Sequence, residues 1–365
     1  MKQATLRTFW SDILGSELAN LMALCGCLKG ETPSNPNWDA IVPLANRTLT
    51  TPSLANRLLG NDGLSSDLAE FLRVIKARTL LRNQMMFAQL IEAVDALSNR
   101  GIRPMLFKGA AFIALGGKTY DDRVFGDLDL MVADEHAAGT IETLEAIGYR
   151  CFGSGSSASR WDDPKLCREI DAGGIDLRCR LKLPRPGYSY ADLVPECREL
   201  SLGNGTVWLP SPTIQAVSLV MHDQLQEKDY WRGLIDLRHL FDMRSLLDMQ
   251  GGVEWEKLIG FFPPGHALRA LHTQLLTLSE LFDLPVPIGS KRNMAARLQL
   301  CRRQVQLRFK WLAPCCTLLA LLLDPPLDLN SKALAKSRKE TWSMSVWDQL
   351  RVLRRMFLAP KPTKV

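Results

Sequence analysis

The stretch from Arg103 to Ala133, RPMLFKGAAFIALGGKTYDDRVFGDLDLMVA, decides how the chain is read. Residues 103–108 form a short strand, and Gly109–Leu115 opens a helix of small residues. Gly116–Phe125 is a polar loop. Asp127–Ala133 then alternates acidic and apolar residues, the pattern of a half-buried strand. Strand residues two apart share a face, so Asp127 and Asp129 project together while Leu128 and Leu130 pack the other way. Two neighbouring carboxylates repel each other unless something positive lies between them. A divalent cation meets that need, and magnesium favours a few carboxylates together with substrate phosphates and water.

Working outward, Lys108-Gly109 closes a strand and opens a helix. Glycine there admits a close backbone approach, and a helix N-terminus presents free amides to a phosphate. Downstream, GIDLRCRLKL has the same alternation: Ile175, Leu177, Cys179, Leu181 and Leu183 face a core. Asp176, Arg178, Arg180 and Lys182 share the opposite face. If this strand pairs beside residues 127–133, Asp176 joins the other two acids, and the cations beside it meet phosphates. The segment GGKTY at Gly116–Tyr120 is not a P-loop, because Phe112 stands where that pattern needs glycine. Arg123 has Asp121 and Asp122 as nearby partners, and Tyr120 is either a packed loop aromatic or a base-stacking one.

The flanks are helical. Ser66–Ser98 repeats apolar residues at nearly helical spacing with no Gly or Pro, and Asn99-Arg100-Gly101 ends it. Glu135–Ile147 is a helix capped by Asp134 and ended by Gly148. GSGSSAS at Gly153–Ser159 is a flexible link, and the pattern is helical again from Pro212 onward. His222-Asp223 resembles half of a phosphohydrolase metal dyad. The other histidines show no matching spacing, so His222 reads as a helix-surface residue and His239 as structural.

The pieces LFKGAAF, TYDDRVFGDLDLMV and IDLRCRL, followed by VWLPSPTIQAVSLVMH and WRGLIDLRHL, resemble the DNA polymerase beta-like nucleotidyltransferase superfamily. Within it, the nearer likeness is to a bacterial uncharacterised nucleotidyltransferase family with Lys-Gly in place of the usual glycine motif. The resemblance covers Leu80 to Asp242. Ala110 stands where the superfamily has a second small Gly or Ser, and Arg178-Cys179 where the nearer family often has His and an aromatic.

The resemblance implies an α+β fold, a small mixed sheet with flanking helices. It implies two Mg2+ ions, with Mn2+ as a substitute, on Asp127 and Asp129, and Asp176 binding one ion and helping to deprotonate an acceptor hydroxyl. Gly109 amides and Lys108 would hold the β- and γ-phosphates of an NTP such as ATP, and Arg123 would steady the leaving pyrophosphate. The acceptor is left open among a small molecule, a peptide or protein side chain and an RNA end. The alternative is a catalytically silent protein that binds a nucleotide or a partner on the same fold.

The remaining features set the frame. Residues 1–100 are expected to be a helical region, 101–210 the catalytic core, and 211–365 a helical, basic region. From Lys291 to Val365 there are 16 Lys/Arg against 4 Asp/Glu. This points to an anionic surface as a partner of that region. The segment Val346–Leu358 reads as a basic amphipathic helix, on a membrane, on a partner or docked onto its own domain. Trp311–Leu323, the longest apolar stretch, is too short to span a bilayer and reads as a buried helix. Nine cysteines with no CxxC pair, and no signal-peptide pattern, give the expectation of a cytoplasmic protein with buried reduced thiols.

Overall fold

The alternation in residues 127–131 sets a strand at the centre of a seven-stranded mixed sheet, ordered β3-β4-β5-β2-β1-β9-β8. The computed structural model describes residues 17–60, 63–116, 120–121, 123–152, 164–181, 188–324 and 361–365. The link at Gly153–Ser159, Lys182, Leu183 and the basic segment Val346–Leu358 lie outside the described residues. The strands are β1 (Met105–Phe107), β2 (Asp127–Met131), β3 (Arg150–Phe152), β4 (Lys165–Cys167) and β5 (Gly174–Arg178), then β8 (Cys197–Leu202) and β9 (Gly205–Pro210). A separate pair joins β6 (Arg180–Leu181) and β7 (Tyr188–Ser189). With its flanking helices this is the expected mixed α+β fold.

Helix α1 (Ser66–Ser98) has the bounds its periodicity gives. The Ser65 hydroxyl accepts from the Leu68 N–H, and Gly101 closes the helix at φ +70°. Helix α2 (Lys108–Leu115) follows β1 without a loop, and α3 (Ala137–Ala146) follows β2. Asp134 does not cap α3: a 3-10 turn spans Asp134–His136, and the Asp134 carboxylate instead pairs with Arg180 at 2.7 Å. The expected strand through Leu183 ends at Arg178, so Arg180 belongs to the small β6–β7 pair and not to the face of Asp176. The β8–β9 hairpin turns at Gly203-Asn204, a turn signal in the stretch between Leu183 and Pro212 to which the sequence reading assigns no element.

By compactness the chain divides into two interleaved units. One comprises residues 49–221 and 241–262 and contains the sheet, α1 to α3, α4 (Pro212–Val220) and the later part of α5 (Leu237–Asp248). The leucines of β2 and β5, Leu128, Leu130 and Leu177, are buried there with Leu90 and Val94 of α1.

The other unit comprises residues 1–48, 222–240 and 263–365. Its helices include α6 (His266–Phe282), α7 (Met294–Arg308) and α8 (Ala313–Leu323). Helix α8 corrects the expectation of a buried helix: Leu318, Leu319, Leu322 and Leu323 are exposed, and only Thr317 and Ala320 are buried. Eleven apolar-rich residues carry no period that assigns an inner face, so composition alone overstated burial. The cysteines also differ from expectation: all nine are free thiols, but only Cys25 and Cys27 are buried. Among the described residues no helix is long and apolar enough to cross a membrane.

Candidate active site

Strand β2 pairs parallel with β5 and antiparallel with β1. The register sets Asp129 beside Asp176 and Phe107 opposite Asp129. Gly173 makes this alignment sterically feasible, because a Cβ there would collide with the Gly126 carbonyl and the Met86 thioether. The Gln89 carboxamide of α1 donates to the Gly173 carbonyl at 2.8 Å and fixes the entry into β5.

The three carboxylates are not equivalent. Asp127 and Asp176 keep 41% and 35% of their side-chain surface, whereas Asp129 keeps 3%. Lys165, on the neighbouring β4, reaches both open acids, at 3.6 Å from Asp127 Oδ2 and 3.4 Å from Asp176 Oδ1. Asp129 is engaged from two sides, by Lys108 Nζ at 3.2 Å and by the Arg178 guanidinium. Three carboxylates thus face three cations. Burial, reinforced by the Asp127 charge, holds the Asp176 carboxyl above its ordinary range, with Lys165 opposing.

Lys108 is the first residue of α2 and adopts a left-handed φ of +46°. For a non-glycine residue this costs on the order of 1 kcal/mol and is sustained only by its surroundings. Gln215, buried on α4, supplies them: its Oε1 accepts from the Lys108 N–H at 3.0 Å, and its Nε2 donates to the Leu106 carbonyl at 3.0 Å. Gly109 is closely surrounded. A Cβ there would lie 3.2 Å from the Arg123 guanidinium, 3.3 Å from the Phe125 ring and 3.4 Å from the Asp127 carbonyl.

Arg123 is buried rather than open to the site. Its partner is not Asp121, and Asp122 lies outside the described residues: the Arg123 Nε and Nη2 donate to both oxygens of Asp242, at 2.8 to 3.0 Å. The rings of Phe125 and Phe112 flank it at 4.9 and 5.8 Å. This bidentate, stacked arrangement ties the loop before β2 to α5. Tyr120 packs against Phe87 and Phe125, with centroids 6.3 Å away in each case.

The donor set suits a divalent cation. Asp127 and Asp176 present oxygen ligands with an ammonium already between them, which marks the place where positive charge is required. Lys165, Gln215 and Asp242 went unread in the sequence. The first is separated from Asp127 and Asp129 by residues 153–163, and the other two lie in helices whose partners are set only by packing.

A second acidic group lies in the other unit, and it takes Asp223 with His239 and not with His222, which is half-buried. A π-helical turn at Met221–Gln226 turns Asp223 inward, where Asp223, Asp236 and His239 are all buried. His239 Nδ1 lies 2.7 Å from Asp223 Oδ1. These three side chains could hold a metal ion. Lys364 is also there, paired with the buried Asp229 and 3.7 Å from both Asp223 and Asp236. Lys361 pairs with Glu227, and Val365 exchanges two backbone hydrogen bonds with Ile235. Two lysines of the basic C-terminal region are therefore neutralised internally.

No curated protein matches the chain. Residues 34–283, well over half of its length, match the family described as uncharacterised nucleotidyltransferase. That span contains the Lys-Gly turn, all three carboxylates and Gln215. The likeness of three short motifs thus extends over the whole sheet and the helices after it as far as α6, and the chain belongs to the uncharacterised nucleotidyltransferase family.

Proposed function

We propose that this protein transfers a nucleoside monophosphate from an NTP to a hydroxyl acceptor, releasing pyrophosphate, with Mg2+ or Mn2+ held by Asp127 and Asp176. The observation that carries this reading is the placement of Asp127, Asp129 and Asp176 on adjacent parallel strands beside the Lys108 turn. A bound divalent ion would neutralise phosphate charge and make the α-phosphorus more electrophilic.

The chain's own residues supply the rest. Asp176, with its carboxyl held above the ordinary range, accepts the proton of the acceptor hydroxyl. The acceptor oxygen bonds to the α-phosphorus as the bond to the β-phosphate oxygen breaks. Lys165 moves from the carboxylates to the phosphates once the acids are neutralised. Lys108 and the amides that follow it in the first turn of α2, beginning with Gly109, favour the β- and γ-phosphates, the Lys108 N–H itself being held by Gln215. Arg123, committed to Asp242, acts by holding the loop before β2 and does not touch pyrophosphate.

Calorimetric titration of the four NTPs with magnesium tests this. Binding that requires magnesium and is lost in Asp127→Asn is the expected result. Equal binding with and without magnesium, or an unaffected variant, removes the assignment. One observation favours the silent alternative: Asp129 is already neutralised by Lys108 and Arg178. Magnesium-dependent NTP binding without label transfer to any fraction of a cell extract would shift the reading to a nucleotide-binding protein.

A further inference from the structure

A cavity of about 600 Å3 opens in the sheet-bearing unit, beside α2. That volume lies within the range of small-molecule sites. Its apolar walls are Phe112 and Leu115 from α2, Leu209 and Pro210 from the end of β9, and Leu246 and Met249 from α5 and its end, and polar and charged side chains supply much of the remaining lining. The successive glycines Gly251 and Gly252, both at positive φ, form part of its rim. A Cβ on Gly251 would meet nothing within 4 Å.

Two contacts join this cavity to the candidate active site. Gln215 lines it while its carboxamide holds the Lys108 N–H. Phe112 lines it while its ring lies under the Arg123 guanidinium. Strand register gives the separation. Met105 pairs with Trp208 in parallel, which sets Phe107 level with Pro210, and Phe107 is opposite Asp129. Pro210 and Asp129 are therefore two strand spacings apart, about 10 Å.

The charges lining the cavity define what it can hold. They are Glu196, Glu254 and one arginine, Arg198. Glu196 is paired with Lys257. A nucleic-acid end needs several cations along its backbone, and this lining, with Glu196 taken by Lys257 and Glu254 set against Arg198, carries no net positive charge. Cys197, whose thiol donates to the Leu193 carbonyl and is pushed up to about 12 by burial, offers no nucleophile. The nucleobase of the NTP is a poorer occupant than an apolar body, because Phe112 already has Arg123 against its ring.

We propose that this cavity binds the acceptor, and that the acceptor is an elongated amphipathic alcohol without phosphate. Its apolar body lies against Phe112, Leu115 and Met249, and its hydroxyl extends toward the acids, which begin two strand spacings from Pro210 at Asp129, about 10 Å, and continue to Asp176 at three, about 14 Å. The assignment rests on the nucleotidyl-transfer reading for the hydroxyl's fate, but the binding of an apolar body does not.

The test uses the full chain and the uncharged dye N-phenyl-1-naphthylamine, whose fluorescence rises on entering an apolar site. Leu115→Trp fills the cavity from one wall and Met249→Trp from another, so a folding defect in one variant leaves the other to decide. Saturable uptake by the wild type, at least tenfold weaker in the filled variants and unchanged by excess poly(U), is expected. Uptake that does not saturate, that is equal in all three proteins or that is displaced by poly(U) overturns the proposal. In a cell extract with α-labelled ATP, label is expected in the solvent-extractable small-molecule fraction and is lost on Leu115→Trp; label on RNA overturns the acceptor's identity. Magnesium-dependent ATP binding on the same preparations reads the transfer function separately. Its absence while the dye still binds fails that function and not the cavity.

Discussion

The two compact units each contain an acidic cluster, built on opposite terms. In the sheet-bearing unit, Asp127 and Asp176 are half-open and share Lys165, a cation that is itself nearly half exposed. In the other unit, Asp223, Asp229 and Asp236 are buried around Lys364, which is buried with them. An exposed ammonium more than 3 Å from its partners is weakly held and readily exchanged. A buried ammonium among carboxylates is costly to remove, because each lost partner leaves an uncompensated charge. Similar residue types therefore make a replaceable cation position in one unit and a structural clasp in the other.

The largest expected effect separates the clusters by activity. Asp127→Asn should lower nucleotidyl transfer at least about a thousandfold, roughly 4 kcal/mol of transition-state stabilisation, with little change in the denaturant midpoint. Full label transfer by this variant would remove the functional half of the comparison. Next in size, Lys364→Met should cost about 3 kcal/mol of stability, read from urea unfolding. A midpoint equal to wild type would show that the clasp contributes nothing.

A smaller effect appears in pH dependence. Burial, opposed chiefly by Lys364, pushes the Asp229 carboxyl up to about 6. Its unfolded value is about 3.9. Between these values the folded chain holds a proton that the unfolded chain releases, so this group's contribution to stability falls as pH rises from about 4 to about 6. Asp236 is shifted the other way, and its contribution is lost only below about pH 4, as its carboxylate protonates. Asp229→Asn should flatten the slope between pH 4 and 6, and an unchanged slope would assign it to other groups.

The smallest effect belongs to Lys165→Met. Stability should change by less than about 1 kcal/mol, while Mn2+ binding to the free protein, followed by its paramagnetic resonance signal, should tighten. Weaker Mn2+ binding would mean that Lys165 supports the cation instead of occupying its place.

Much of the sheet-bearing unit was legible because it depends on local rules. The alternation in DLDLM, the uninterrupted period of Ser66–Ser98 and the breakers at Gly101 and Gly148 act over a few residues. The β8–β9 hairpin and the true end of β5 were missed because short strands carry little periodicity. Asp134 satisfied the pattern of a cap, yet a distant arginine claimed its carboxylate.

The sequence by itself determined the family and the candidate residues for its chemistry: a Lys-Gly turn, two acids on one alternating strand and a third on another. Only the tertiary structure decided how the charges are shared. It gave Asp129 to Lys108 and Arg178, Lys165 to the two open acids, Arg123 to Asp242 and Lys364 to the buried cluster. Periodicity fixes the face on which a side chain stands, because backbone geometry repeats locally. Among the described residues ion pairs form between partners as far apart as Glu17 and Lys310, 293 positions, and that choice is made by packing and desolvation across the folded chain.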